Sequence, residues 1–199
     1  MGEKKKRQGS IQRKTKETDV DLTLTVDGSG QTDIDCGVPF LNHMLTLFGV
    51  HGFFDLTVRA SGDTDVDDHH TVEDVGICLG QAFSKALGDK SGIARYGFAY
   101  LPMDETLVRV VVDICNRPYI HYNAPVPDQK LGTFDTALAQ EFMRAFAQHA
   151  GVTLHIDLLH GRNSHHIIEA VFKALARTMS QATIKLDALT GSLSSKGVL

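Results

Sequence analysis

Polar and apolar residues alternate along Val20-Asp21-Leu22-Thr23-Leu24-Thr25-Val26, and the run closes on the turn Asp27-Gly28-Ser29-Gly30. A period of two predicts a half-buried strand. Residues 40–48 are apolar at helical spacing, and Gly49 and Gly52 offer stops. Alternation returns over 54–60, a second strand. A polar loop follows, then a helix from about 71 to 87, with Asp67 or Asp68 able to cap its start. The order then repeats: strand over 107–113, helix over 136–149, strand over 153–158, helix over 167–186 with Ser164 as its cap. The pattern predicts an α/β chain, an α+β two-layer sandwich made by internal duplication. Two similar βαβα-type halves, about 10–92 and 93–190, each pack a sheet on helices about a pseudo-twofold axis. They form one domain over 1–199, with a tail at 191–199.

The repeat carries chemistry. Asp68-His69-His70-Thr71-Val72-Glu73 returns 96 residues later as Ser164-His165-His166-Ile167-Ile168-Glu169. At about 100° per residue, two imidazoles and a carboxylate share one helix face within a turn. Such a donor set suits Mn, Fe, Ni or Zn. A single copy reads as a solvated helix face; duplication makes it a pair of metal sites. The order is not the His-Glu-x-x-His of zinc proteases. The same register sets His43 against Glu141, one further ligand for each half. Asp63-Thr64-Asp65-Val66-Asp67 opens like a calcium loop, but Asp68 replaces the required Gly and Asp74 the closing Glu. Calcium is therefore not expected.

Composition narrows the class. A net charge of −4 excludes general attraction to nucleic acid, and no apolar run approaches a membrane span. The basic start, Lys4 to Arg7, reads as a frayed, solvated terminus. Cys36, Cys78 and Cys115 are odd in number and sit in apolar company, so buried free thiols and a cytoplasmic setting are expected.

Several longer motifs resemble imidazoleglycerol-phosphate dehydratase. They are Arg13-Lys14-Thr15-Lys16-Glu17-Thr18, Phe40-Leu41-Asn42-His43-Met44, Asp67-Asp68-His69-His70-Thr71-Val72-Glu73-Asp74, Gly161-Arg162-Asn163-Ser164-His165-His166-Ile167-Ile168-Glu169-Ala170, and the tail Ser194-Ser195-Lys196-Gly197-Val198-Leu199. The resemblance spans nearly the whole chain. It implies two Mn²⁺ per active site and a homo-oligomer of typically twenty-four subunits, with active sites at subunit interfaces. Metal ligands carry over to His43, His69, His70, Glu73, His165, His166 and Glu169. Glu141 stands where some members carry His, and a carboxylate also ligates manganese. Arg95, Arg117, Lys173, Ser195 and Lys196 match positions that hold the substrate phosphate, as arginine forks and lysine charges do. His51 matches a substrate-region position, and Glu17 a glutamate near the substrate. Without the resemblance these residues read as surface charges, a helix-end histidine and a frayed tail.

The activity so implied is dehydration of D-erythro-imidazole glycerol phosphate to imidazole acetol phosphate in L-histidine biosynthesis. No carbonyl acidifies the proton to be lost. A substrate ring held as imidazolate between two metals can instead expel hydroxide through a diazafulvene-like intermediate. Glu17 then serves as base or proton shuttle, given desolvation that raises its pKa. Two rivals remain at this stage. A two-metal phosphate-ester hydrolase explains the ligands and the cations but leaves Glu17 and the tail without roles. A metal-storage or metal-sensing protein gives no role to Arg95, Arg117 and Lys196.

Overall fold

A computed structural model describes residues 6–197 and 199. The first half runs β1 (Gln8–Lys14), β2 (Thr18–Thr25), β3 (Thr32–Asp35), α1 (Pro39–Gly52), β4 (Asp55–Gly62) and α2 (His69–Leu87). The second runs β5 (Tyr96–Met103), β6 (Thr106–Ile114), β7 (Tyr119–Asn123), a small hairpin of β8 (Lys130–Leu131) and β9 (Phe134–Asp135), α3 (Ala137–Ala150), β10 (Val152–His160) and α4 (Ser164–Thr183). The sheets have orders β1-β2-β4-β3 and β5-β6-β10-β7, the same topology twice. The duplicated α/β architecture expected from the pattern is therefore present.

Each half holds more strands than strand, helix, strand, helix. Besides the small β8–β9 hairpin, the strands the pattern missed are β1, β3, β5 and β7, all at sheet edges; β1 is polar, and β3 and β7 are short. In β5 the alternation is inverted in character, because Tyr96, Phe98 and Tyr100 point out while Gly97 and Ala99 point in. Hydropathy alone cannot read that face. By contrast β2 behaves as its alternation requires, burying Val20, Leu22 and Leu24 and exposing Asp19 and Asp21.

All four helices lie between the sheets, and a single apolar cluster joins both halves. The helices pair across the halves: α1 packs on α4, and α2 on α3. Gly76 and Gly80 permit the second contact. A Cβ there would sit 2.9 Å from the Phe142 carbonyl oxygen and 2.7 Å from that of Phe146, closer than real Cβ contacts come. Bare backbone on α2 thus lets α3 approach and carries Glu141 and Arg144 toward His69 and Glu73.

Local details correct several expectations. Asn163, not Ser164, caps α4, its side-chain oxygen accepting from the amides of His165 (3.0 Å) and His166 (3.3 Å). Ser164 is the first helical residue, and its hydroxyl donates to Asp128. At α2, Asp67 accepts from the His69 amide at 2.8 Å, while the Asp68 side chain makes no capping bond. Lys4 and Lys5 lie outside the described residues. Arg7 is not frayed, because its planar fork reaches Asp27 at 2.6 and 2.9 Å and the Thr183 carbonyl at 2.7 Å. The three cysteines are free and buried, and burial pushes the thiols of Cys36 and Cys78 up to about 11 and about 12. Among the described residues no helix is long and apolar enough to cross a membrane.

Candidate functional site

The cross-half helix pairing builds the chemistry. His43 comes from α1, in the first half, and meets His165 and Glu169 on α4, in the second. One ligand atom from each lies within 4.8 Å of the others. His43 Nε2 is 3.3 Å and His165 Nε2 3.1 Å from the same Glu169 oxygen. Lys173, one turn along α4, donates to the other Glu169 oxygen at 2.5 Å. Burial pushes the Glu169 carboxyl up, but Lys173 and the two imidazoles outweigh it and hold it below its usual range. A buried, ionised carboxylate between two imidazole nitrogens is a donor set that fits Mn²⁺ or another borderline divalent ion. His51, in the last turn of α1, lies close by and half-buried. Burial, with Lys173 and Arg177 nearby, holds its imidazole toward the neutral form.

The mirror set is less closed. His69 Nε2 is 3.6 Å from Glu73. Glu141 pairs with Arg144, and Arg144 also lies 3.7 Å from Glu73, so a guanidinium occupies the space between the two carboxylates. His69 and Glu141 share a pocket of about 510 Å³ with Asp68 and Lys130.

The expectation that both imidazoles of each pair share a face with the glutamate is corrected. The first histidine turns to its glutamate. The second, His70 or His166, turns away to an acid from a loop. His70 Nδ1 is 3.0 Å from Asp63, and His166 Nδ1 is 2.8 Å from Glu105. Those hydrogen bonds raise both imidazoles' pKa values, and the His166 bond with two backbone N–H groups draws Glu105 down to about 2. Adjacent helix positions diverge by about 100°, so a loop acid on the second flank can claim the second ring. Asp63, Glu105 and Arg144 are the participants that pattern reasoning overlooked. In the sequence Asp63 reads only as part of a calcium-like loop, and a lone hairpin glutamate such as Glu105 carries no signal without its spatial neighbour.

Glu17 sits in the exposed turn between β1 and β2, and its carbonyl accepts from the Asp63 amide at 3.1 Å. Among the described residues its carboxylate has no hydrogen-bond or ion-pair partner.

The cations divide. Arg95 is buried, grips Asp113 at 2.6 and 3.0 Å, and donates to the Leu193 carbonyl at 2.6 Å. Arg117 approaches the same Asp113 at 3.5 Å. The tail runs past this pair, with Ser195 and Lys196 exposed and Asn116 donating to the Leu199 carbonyl at 2.7 Å; Val198 lies outside the described residues. The Arg95 amide donates to Ala182, at the C-terminal end of α4, whereas His165 and His166 open its N-terminal end. Roughly 24 Å of helix separates them at 1.5 Å per residue. One chain therefore does not bring Arg95, Arg117, Ser195 and Lys196 to its own imidazoles. A further pocket of about 770 Å³, lined by Arg7, Phe53 and Ile184, contains none of the candidate residues.

Comparison with known proteins places the chain. A family model described as imidazoleglycerol-phosphate dehydratase matches residues 36–179. The enzyme of that name from Desulfotalea psychrophila is 63% identical over 195 residues, covering 98% of each chain. That from Pelobacter propionicus is 58% identical, covering 97% of this chain and 99% of its own. A crystal structure of imidazoleglycerol-phosphate dehydratase from Staphylococcus aureus superposes with a TM-score of 0.82 at 45% identity, covering 90% of this chain and 99% of its own. The Pyrococcus furiosus protein gives 0.83 at 36% identity, covering 95% of this chain and all of its own.

Proposed function

Because the chain belongs to the imidazoleglycerol-phosphate dehydratase family, we propose that it is the hydro-lyase of histidine biosynthesis that converts D-erythro-imidazole glycerol phosphate to imidazole acetol phosphate. The observation that carries a metal-dependent version is the meeting of His43, His165 and Glu169 across the two halves. These residues would hold one Mn²⁺, and His69, His70, Glu73, Glu141 and His166 supply the donors for a second. Bound Mn²⁺ would supply Lewis-acid stabilisation of negative charge on the substrate imidazole.

The chain's own residues do the rest. Arg95 keeps two of its five N–H groups beyond those used for Asp113 and Leu193, and Arg117, Lys196 and the Ser195 hydroxyl add donors for phosphate. Lys173 keeps Glu169 ionised, and His51 stays neutral enough to hydrogen-bond substrate hydroxyls. Glu17, with its carboxylate free, takes the proton from the carbon beside the one that loses hydroxide. The enol left behind becomes the ketone.

Arg95, Arg117, Ser195 and Lys196, the proposed phosphate donors other than Lys173, lie toward the end of α4 opposite the imidazoles, and this supports assigning each active site to more than one subunit of a homo-oligomer, twenty-four by family expectation. The outer face of the second sheet supports self-association. Phe98 pairs with Val111 across the strands, with Tyr96 and Tyr100 beside it on β5 and Tyr119 on the far edge strand β7, all exposed in the single chain. Cytoplasm is the compartment we assign.

The test is turnover of imidazole glycerol phosphate by metal-stripped protein with and without Mn²⁺, following ketone and inorganic phosphate together. Mn²⁺-dependent ketone without phosphate supports the proposal. Phosphate release identifies a hydrolase instead. Full metal occupancy without turnover identifies a storage or sensing protein.

A further inference from the structure

The two halves use their acids differently, and the difference has a chemical consequence. Gly9 in β1 and Gly97 in β5 are equivalent, since an added Cβ on either would lie 2.1 Å from a helix carbonyl oxygen, of Ala82 and of Thr178 respectively. The hairpins that follow then set Glu17 against Glu105, each directly before its strand, β2 or β6. Gly62 and Gly161 likewise correspond, since an added Cβ would lie 3.3 Å from Thr18 in one half and 2.6 Å from Thr106 in the other, the threonines that start those strands. The next residue is Asp63 in one half and Arg162 in the other.

In the first half the Asp63 amide is satisfied by the Glu17 carbonyl, so the Glu17 carboxylate stays free and Asp63 engages His70 Nδ1. In the second half Arg162 cannot accept a proton, and Glu105 does both jobs. One of its oxygens accepts from the amides of Arg162 (3.1 Å) and Asn163 (2.8 Å); the other faces His166 Nδ1. His166 Nε2 is left toward an open pocket of about 540 Å³, where the nearest acid, the exposed Asp104, is 3.8 Å away.

We infer that Glu105 and Asp63 are positioning residues that keep the proton of His166 and His70 on Nδ1, leaving each Nε2 bare for a divalent cation. An ionised carboxylate only accepts, so the nitrogen facing it must carry hydrogen. A carboxylate behind a ligating imidazole fixes its tautomer and orientation, and its removal typically weakens metal binding about 10- to 100-fold. The inference rests on the metal-dependent reading above.

The partners of the two acids make the test asymmetric. In Glu105→Gln the amide oxygen must serve the two backbone N–H groups, because they can only donate. The amide nitrogen then faces His166, donates to Nδ1 and drives the proton to Nε2. Among the described residues the Asp63 side chain has no partner but His70, so Asp63→Asn can turn its oxygen toward Nδ1.

Mn²⁺ binding to the metal-stripped, assembled protein is measured by equilibrium dialysis, with thermal melting as a check on folding. Glu105→Gln should weaken one class of sites about 10- to 100-fold, while Asp63→Asn stays within a few-fold of wild type. If Glu105→Gln binds as wild type does, Glu105 merely pins the loop and the inference is overturned. Equal losses in both variants also overturn it, because removal of charge rather than proton placement would then be responsible. Should Glu105→Gln fail to fold, Asp63→Ala decides: a loss of about tenfold supports the inference, and unchanged binding overturns it. Wild-type protein that takes up no Mn²⁺ overturns the metal reading itself, and this inference falls with it.

Discussion

Arg95 shows how much one side chain can be asked to do. Its backbone is left-handed, with φ of 71°, which costs a non-glycine residue roughly 1–2 kcal/mol. The conformation is held by the grip on Asp113 and by the hydrogen bond that anchors the tail at Leu193. Arg95→Lys keeps a charge but loses the fork's hydrogen bonds, so it should both destabilise the protein, by about 1.5–3 kcal/mol, and raise KM through weaker phosphate binding. Thermal melting and steady-state kinetics separate the two effects. Glu17 makes the opposite prediction, because nothing structural depends on its carboxylate. Glu17→Gln should bind Mn²⁺ and substrate normally and lose most of kcat; retained turnover removes Glu17 from the role of base. The sequence signals these two residues unequally. The resemblance singles out both, but nothing near Glu17 in the chain says that its carboxylate is free.

Between elements, the close pairing of α2 with α3 is the contact that would hold the second proposed ligand set together. Gly80→Ala adds a methyl group where 2.7 Å separates it from the Phe146 carbonyl oxygen, and backbone cannot swing aside as a side chain can. The better helix propensity of Ala offsets part of this, and a net destabilisation of about 1–2 kcal/mol should remain. The His69 and Glu73 side should lose metal affinity more than the His43, His165 and Glu169 side, which a two-class Mn²⁺ binding isotherm resolves. A second junction, Arg7 with Asp27 and Thr183, ties β1 to the end of α4. The hydrogen bond from Arg7 is the main cause of a lowered Asp27 pKa, against the opposing effect of burial. A lowered carboxylate pKa stabilises the fold above the ordinary value near 3.8 and is lost as pH falls through the lowered value. Asp27→Asn should therefore melt lower than wild type at pH 7, by at most about 1 kcal/mol because the pair is partly exposed. The two proteins should converge once the pH has fallen below that lowered value.

At the scale of the whole molecule, the proposed function asks for more than one chain at each site. Of the candidate phosphate donors, Lys173 stands beside Glu169, while Arg95, Arg117, Ser195 and Lys196 lie toward the other end of α4, and Glu17 is open to water. The proposed assembly would cover the aromatic face of Phe98, Tyr96 and Tyr100, which the single chain leaves exposed. Charging that face should be decisive: Phe98→Asp with Val111→Asp should yield smaller particles in sedimentation velocity and lose turnover with the assembly. A dispersed double variant that keeps full activity would assign the site to a single chain.

The chain order of residues was enough to reveal the duplication, the repeated His-His-x-x-Glu motif and the helices that bear it. Hydrophobic periodicity and a repeated motif are local properties, set by 3.6- and 2-residue periods and read without knowing what lies across the core. Edge strands escaped because pairing on one side does not demand an apolar face. What only the tertiary structure decided is which ligands meet. The helices pair across the halves because each half's apolar helix face finds its cover on the other, and so His43 joins His165 and Glu169 instead of His69. It likewise decided that Asp63 and Glu105 claim the second histidines, since a hydrogen bond between a loop acid and a distant ring depends on position in space and leaves no period along the chain.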